Sequence, residues 1–143
     1  MNAMELTLPV DDKTVARALE WLEATADRAG WPARTLFKLQ LCLDETLTNV
    51  TMYGYDDAHR GTVQPQVRLK LRQKDGRLIL GILDNGRPFD PTAQSPRDLD
   101  TSLDDARIGG HGLRLMLHYL ESMRYERLGD WNCLELVAAL DTP

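Results

Sequence analysis

Cysteine is nearly absent: Cys42 and Cys133 are the only two among 143 residues, far apart and each in an apolar context. That excludes a disulfide framework and reads as two buried thiols of a reducing compartment. No apolar run approaches the ~20 residues that a membrane helix requires. The opening Met1-Asn2-Ala3-Met4-Glu5-Leu6 has neither the basic start nor the apolar stretch of a signal peptide, so the expected location is cytoplasmic, with no membrane partner. Positive charge is not in excess either. Seventeen Lys and Arg stand against 22 Asp and Glu, mixed along the chain to a net charge of −5, and the 6% of aromatic residues do not interleave with a basic patch. Nucleic acid is thereby excluded as a main partner. His59, His111 and His118 have no Cys or acidic neighbours at metal spacing, which argues against zinc, and Ser95, Ser102 and Ser122 lack a nucleophile-elbow context. A G-x-x-x-x-G-K-[ST] phosphate loop is missing too.

What remains is an ordinary globular composition, 43% apolar and 27% charged, in a chain of the usual length for a single domain, here residues 1–143. Met4 to Val10 alternates as a short strand. Asp11 or Asp12 can cap a helix running to about Gly30 on Val15, Leu19 and Leu22. Pro32 suits the first turn of a second helix, whose stripe is Leu36, Leu39, Leu43, Leu47 and Val50, with Gly54 at its end. Strands follow at 66–72 and 78–83, turned by Lys74-Asp75-Gly76. From Asp84 to Gly112 no period is visible, and a segment that long is usually functional, often a lid. Helical spacing returns from Leu113 to Leu120, and strands at 122–127 and 132–140 close the chain. Helices and hairpins in separate runs predict an α+β sandwich, one mostly antiparallel sheet with helices on one face.

Three short patterns stand outside this framework. Glu45 and Asn49, four apart, share one helix face away from the leucine stripe, because two residues turn a helix by ~200°. A pair of polar residues on a helix is ordinarily a solvated face; in a site they would supply a proton acceptor and an oxygen ligand for Mg²⁺. Asp84-Asn85-Gly86 ends a strand and reads first as a hairpin turn. Two prolines in Arg87-Pro88-Phe89-Asp90-Pro91 work against a returning strand, leaving Asp84 to accept from the exocyclic amine of a flat base while Gly86 lets the ring approach the backbone. Gly109-Gly110-His111-Gly112 precedes a helix whose free N–H groups can face an anion, although a plain loop or hinge reads equally well.

Taken together and in order, Glu45-x-x-x-Asn49, Asp84-Asn85-Gly86-Arg87-Pro88-Phe89-Asp90-Pro91, Gly109-Gly110-His111-Gly112-Leu113 and Asn132-Cys133-Leu134 resemble the gyrase/chaperone/histidine-kinase/mismatch-repair ATPase superfamily. Within it, the chain resembles the stand-alone anti-sigma-factor serine/threonine kinases. The resemblance implies a Bergerat-type ATP-binding fold, a lid at about 90–112, and ATP with Mg²⁺ as the bound species. It implies that Asn49 ligates Mg²⁺, Glu45 orients or deprotonates the attacking hydroxyl, Asp84 binds the adenine amine and Gly86 shapes the base pocket, with Gly110 and Gly112 opening the lid. The implied partners are a small antagonist protein phosphorylated on Ser or Thr, a sigma factor, and a second copy, since relatives commonly dimerise. A nucleotide-gated binding module without kinase chemistry is the alternative. The sequence departs from the pattern twice. Tyr53 stands where relatives commonly have His, and Ile108 stands where some place an Arg, with Arg107 one residue earlier.

Overall fold

The computed structural model of the chain describes residues 3–57, 61–93 and 110–142, the first four of the last stretch by backbone alone. Five strands, β1 (Met4–Pro9), β2 (Gln66–Lys74), β3 (Arg77–Asp84), β4 (Ser122–Leu128) and β5 (Trp131–Ala139), form one sheet in the order β1-β2-β3-β5-β4. The helices are α1 (Thr14–Ala29), α2 (Ala33–Tyr53) and α3 (Gly110–Tyr119), with a short 3-10 turn at Pro91–Ala93. All four strand pairings are antiparallel, so the α+β class holds and, among the described residues, no parallel pair makes the sheet a mixed one. Local turn chemistry explains one of them. Asp75 and Gly76 both take positive φ, 53° and 73°, the twist a two-residue hairpin needs between Lys74 and Arg77. β4 lies at the edge and hairpins back into β5, which seats itself beside β3.

Strand alternation sorts the side chains. Val67, Leu69, Leu71, Leu78, Leu80, Ile82, Leu134, Leu136 and Ala138 are buried on one face against Leu22, Leu39, Leu43 and Leu47 of the helices. α2 carries the expected stripe, widened by buried Cys42, with Leu36 and Val50 at its half-buried margins. Three local expectations shift. Lys13, not Asp11 or Asp12, is the residue before α1 and makes no side-chain cap; Asp11, two residues ahead of it, instead accepts from Lys13 N at 2.8 Å through Oδ1. The face α1 buries is Thr14, Ala18, Leu22, Thr25 and Ala26, while Val15 and Leu19 are only partly covered. Pro32 sits just outside α2 with ψ 150°, extended rather than helical.

Cys42 is fully buried, and loss of water pushes its thiol up to about 12. Cys133 corrects its expectation: it is half-buried on the opposite sheet face, where burial still raises it, and both cysteines are free. The segment after β5 is tied down by a polar cluster. Asp141 accepts from buried Lys38 at 2.8 Å and from the Thr35 hydroxyl at 2.8 Å, and Lys38 Nζ also donates to Ala139 O at 3.0 Å. Among the described residues, no helix is long and apolar enough to cross a membrane.

Candidate functional site

The loop after β3 returns to the end of α2: Arg87 N donates to Gly54 O at 2.8 Å, and the Arg87 guanidinium donates to Tyr53 O. Between them lies a cavity of about 420 Å³. Glu45, Thr46, Asn49, Val50 and Tyr53 of α2 form one wall, and Ile82 and Asp84 of β3 form another with Asn132 and Leu134 of β5. Met116 of α3, Tyr125 of β4 and the loop residues Pro88 and Phe89 complete it. Glu45, Asn49 and Asp84, read separately from the sequence, therefore face a common space. Its lining is mostly apolar, with polar groups at an α2 end, Glu45 and Asn49, and at a strand end, Asp84 and Asn132, a combination suited to a flat ring with a charged tail.

At the first end, Asn49 Nδ2 donates to Glu45 Oε1 at 3.2 Å. That contact turns the amide nitrogen to the carboxylate and leaves Oδ1, a hard oxygen donor, on the other side of the amide. Burial raises the Glu45 pKa above the usual carboxylate value; the Asn49 hydrogen bond lowers it in part, and neighbouring Asp44 adds to the rise. A carboxyl raised towards neutrality is better matched to accepting a proton.

At the second end, Asp84 is only 6% exposed and pairs across the strands with Asn132, 5% exposed. Asn132 Nδ2 donates to Asp84 Oδ1 at 2.9 Å and to Arg87 O at 2.8 Å, while its Oδ1 accepts from Phe89 N at 3.2 Å and from the Tyr125 hydroxyl. A backbone N–H can only donate and a carbonyl can only accept, so Phe89 and Arg87 together settle which way the amide points. Gly86 N donates to the same Asp84 oxygen at 2.9 Å. Burial raises the Tyr125 pKa, its largest cause, with Arg127 opposing, so the phenol stays a donor at neutral pH. Arg127 Nη1 closes the loop by donating to Gly86 O at 2.8 Å.

Gly86 is placed differently from its expectation. It does not line the cavity; an added Cβ would lie 2.7 Å from Gly54 O and 2.9 Å from Asp84 Oδ1. Its missing side chain lets the loop close on the end of α2. Gly110 and Gly112 fall in the first turn of α3, the helix that brings Met116 to the cavity. Of the segment read as a lid, Asp90 to Ala93 is tied by Asp90 Oδ1 accepting from Thr92 N at 2.8 Å. Residues 94–109, with Arg107, Ile108 and Gly109, lie outside the described residues. Sequence reasoning gave no role to Asn132, Tyr125, Thr46 or Arg127. Asn132 had a usable signal: it occupies the buried phase of a strand whose other buried positions are Leu134, Leu136 and Ala138.

Comparison with known proteins gives matches of sequence and of fold. Residues 8–138 match the model of the histidine kinase-like ATPase domain family. The chain is 42% identical over 133 residues to a serine/threonine-protein kinase, BtrW, of Bordetella bronchiseptica, covering 93% of this chain and 91% of that one. It is 27% identical over 113 residues to the anti-sigma F factor of Priestia megaterium, covering 79% and 70%. Among solved structures, the RsbU and RsbW domains of a Mycobacterium tuberculosis protein superpose with a TM-score of 0.71 at 12% identity, over all of this chain and 34% of that one. The chain thus spans about a third of that structure, and the likeness there is one of fold.

Proposed function

The chain belongs to the histidine kinase-like ATPase domain family, and from that premise we propose that it is an ATP-dependent serine/threonine protein kinase of a partner-switching pair. The observation that carries the reading is the placement of Glu45 and Asn49 across one cavity from an Asp84 held by backbone and Asn132. Asp84 accepts from the adenine amine, and Val50, Ile82, Leu134 and Met116 pack the ring. The triphosphate then runs towards Glu45 and Asn49. Among the described residues no group of three His, Cys, Asp or Glu forms a metal cage, so a cation here takes most of its ligands from phosphate and water. Asn49 Oδ1 fits that role for Mg²⁺, which when bound neutralises the phosphate charge.

Glu45 accepts the proton of the incoming Ser or Thr hydroxyl as its oxygen bonds to the γ-phosphorus, the bond to the β-phosphate oxygen breaks, and ADP leaves. Gly110 and Gly112 put backbone N–H groups at the start of α3 within the phosphate-side closure, with residues 90–112 as the lid. The substrate is a small antagonist protein whose binding changes when it carries phosphate. A sigma factor is the proposed second partner, from the anti-sigma F relative.

Labelled ATP incubated with the chain and a candidate antagonist from its genomic neighbourhood should yield phosphoserine or phosphothreonine on the antagonist. Absence of transfer, with Glu45→Ala indistinguishable from wild type, removes the kinase reading. Ile108, standing where some kinases of the group place an Arg to meet the γ-phosphate, bears on transfer more than on nucleotide binding and leaves a second reading in which the nucleotide only gates partner binding. Partner control that survives Glu45→Ala but fails in Asn49→Ala would select it.

A further inference from the structure

The helices pack on one face of the sheet, and strand alternation turns a second set of side chains the other way. Along β3 and β5 that second face carries Ile79, Leu83, Cys133 and Val137, half-buried and outside the hydrophobic core. Gly81 lies in the middle of this strip, in the interior of a central strand. Its own chain does not require it there. Its φ is not positive, and an added Cβ would meet nothing closer than 3.7 Å. Glycine weakens a strand, and one whose neighbours leave room for a side chain points to close approach from outside.

Charge is arranged around the same residue. The register runs Glu5, Lys70, Gly81, Glu135, Arg124 across β1, β2, β3, β5 and β4, and all five line one open depression of about 550 Å³. The signs read minus, plus, none, minus, plus. Reversed end for end, the row presents the opposite sign at every charged position. Among the described residues, none of these four charges forms an ion pair within the chain. We propose that this face seats a second copy of the chain, with a two-fold axis running along β3 through Gly81. Sheets stacked this way keep their strands about 30° from aligned, the ordinary packing of two sheet faces. The contact is isologous, so every pairing occurs twice. Lys70 faces Glu135 of the second copy and Glu5 faces its Arg124, while Ile79 and Leu83 meet their counterparts beside Gly81. An axis across the strands is disfavoured, because it would lay Arg68, Lys70 and Arg72 of the two copies together. The cavity lies on the helix side of the sheet, so both copies keep theirs free.

The proposal does not depend on what the cavity binds. Sedimentation equilibrium at micromolar concentration should give wild type the mass of two chains. Lys70→Glu and Glu135→Lys each set like charges against one another twice, and each alone should weaken self-association about tenfold. Mixed in equal amounts, the two variants should associate as wild type does, because opposite charges then meet in both pairs. An attraction within one chain could not produce that recovery. Gly81→Leu should weaken self-association at least as much while keeping the circular-dichroism spectrum of wild type, since its side chain has room. A wild-type mass of one chain overturns the proposal. So does a dimer indifferent to Lys70→Glu and Glu135→Lys, or a mixture that associates no better than its components.

Discussion

The two polar ends of the cavity are built on different principles. Asp84 is held from three strands and a loop: Gly86 N and Asn132 fix its oxygen, Tyr125 and Phe89 fix Asn132, and Arg127 and Gly54 fix the loop. Glu45 and Asn49 come from one turn of one helix and share a single 3.2 Å contact. The Asp84 end has its hydrogen bonds made before any ligand arrives, so on the proposed reading it spends little on ordering and confers selectivity. The Glu45 end has its two groups in place and, on the same reading, draws the rest of its electrostatics from phosphate, cation and acceptor. On the proposed reading, recognition is therefore a property of the empty protein, and transfer a property of the assembled complex.

The sharpest way to break that contrast is Glu45→Ala. Loss of the proton acceptor should slow phosphoryl transfer by about 10²- to 10⁴-fold. ADP affinity should change less than about threefold, since Asp84 and its network are untouched. A comparable loss of affinity would show that the two ends are not separable. The pH profile should follow the raised Glu45 pKa: transfer falls as pH drops through a value above the ordinary carboxylate range, because the protonated acid cannot take the hydroxyl proton. For stability the sign is opposite. The folded state holds the Glu45 proton more tightly than the unfolded chain, so this group costs stability as pH rises through its range, and Glu45→Gln should flatten that dependence.

At the other end the effects should appear in binding. Asp84→Asn should weaken ADP by roughly 10- to 100-fold, the range of one hydrogen bond to a charged group. Asn132→Leu removes a side chain that satisfies Arg87 O, Phe89 N and Asp84 together, and should cost about 2–4 kcal/mol of stability as well as a similar affinity. Tyr125→Phe, which removes only the outer donor, should cost about fivefold in affinity. Denaturant melts beside the ADP titrations order these three, and an Asn132→Leu protein with wild-type affinity would mean that Asp84 needs no support.

How far this division could be read from residues alone follows from the range of the interactions. The α2 stripe, the Asp75-Gly76 hairpin and the Glu45–Asn49 face are set by neighbours within one turn of chain, and sequence spacing carries them. Asp84 was legible as a carboxylate at a strand end, but its partner was not, because Asp84↔Asn132 is a cross-strand register 48 residues apart. Gly86 shows the same limit. Its need for a bare Cα comes from Gly54, and nothing near it in sequence announces that close approach. The buried hydroxyl of Thr46 is a property of the assembled fold, since spacing alone places Thr46 only between the leucine stripe and the Glu45 face. Pro32 and Lys13 slipped by a residue for a smaller reason, that caps depend on backbone angles which several adjacent residues can adopt.

The smallest expected effect on the cavity is the control that gives the others meaning. Asp141, like Asp84, accepts two hydrogen bonds, here from the side chains of Lys38 and Thr35, yet it is tied to the start of α2 and does not line the cavity. Lys38 lowers the Asp141 pKa, chiefly through their hydrogen bond, with burial opposing and Thr35 assisting. Asp141→Asn should therefore cost roughly 1–2 kcal/mol at neutral pH, since it removes a charge from a hydrogen-bonded pair whose Lys38 is almost wholly buried. The deficit should be complete above the ordinary aspartate range and should close as pH falls through the lowered folded value, where the wild-type carboxyl also takes a proton. ADP affinity should stay within about twofold throughout, because sites this separate add independently. A fall in affinity matching that of Asp84→Asn would mean that any loosened acidic cluster disturbs the cavity, and that the rigidity credited to Asp84 belongs to the whole fold.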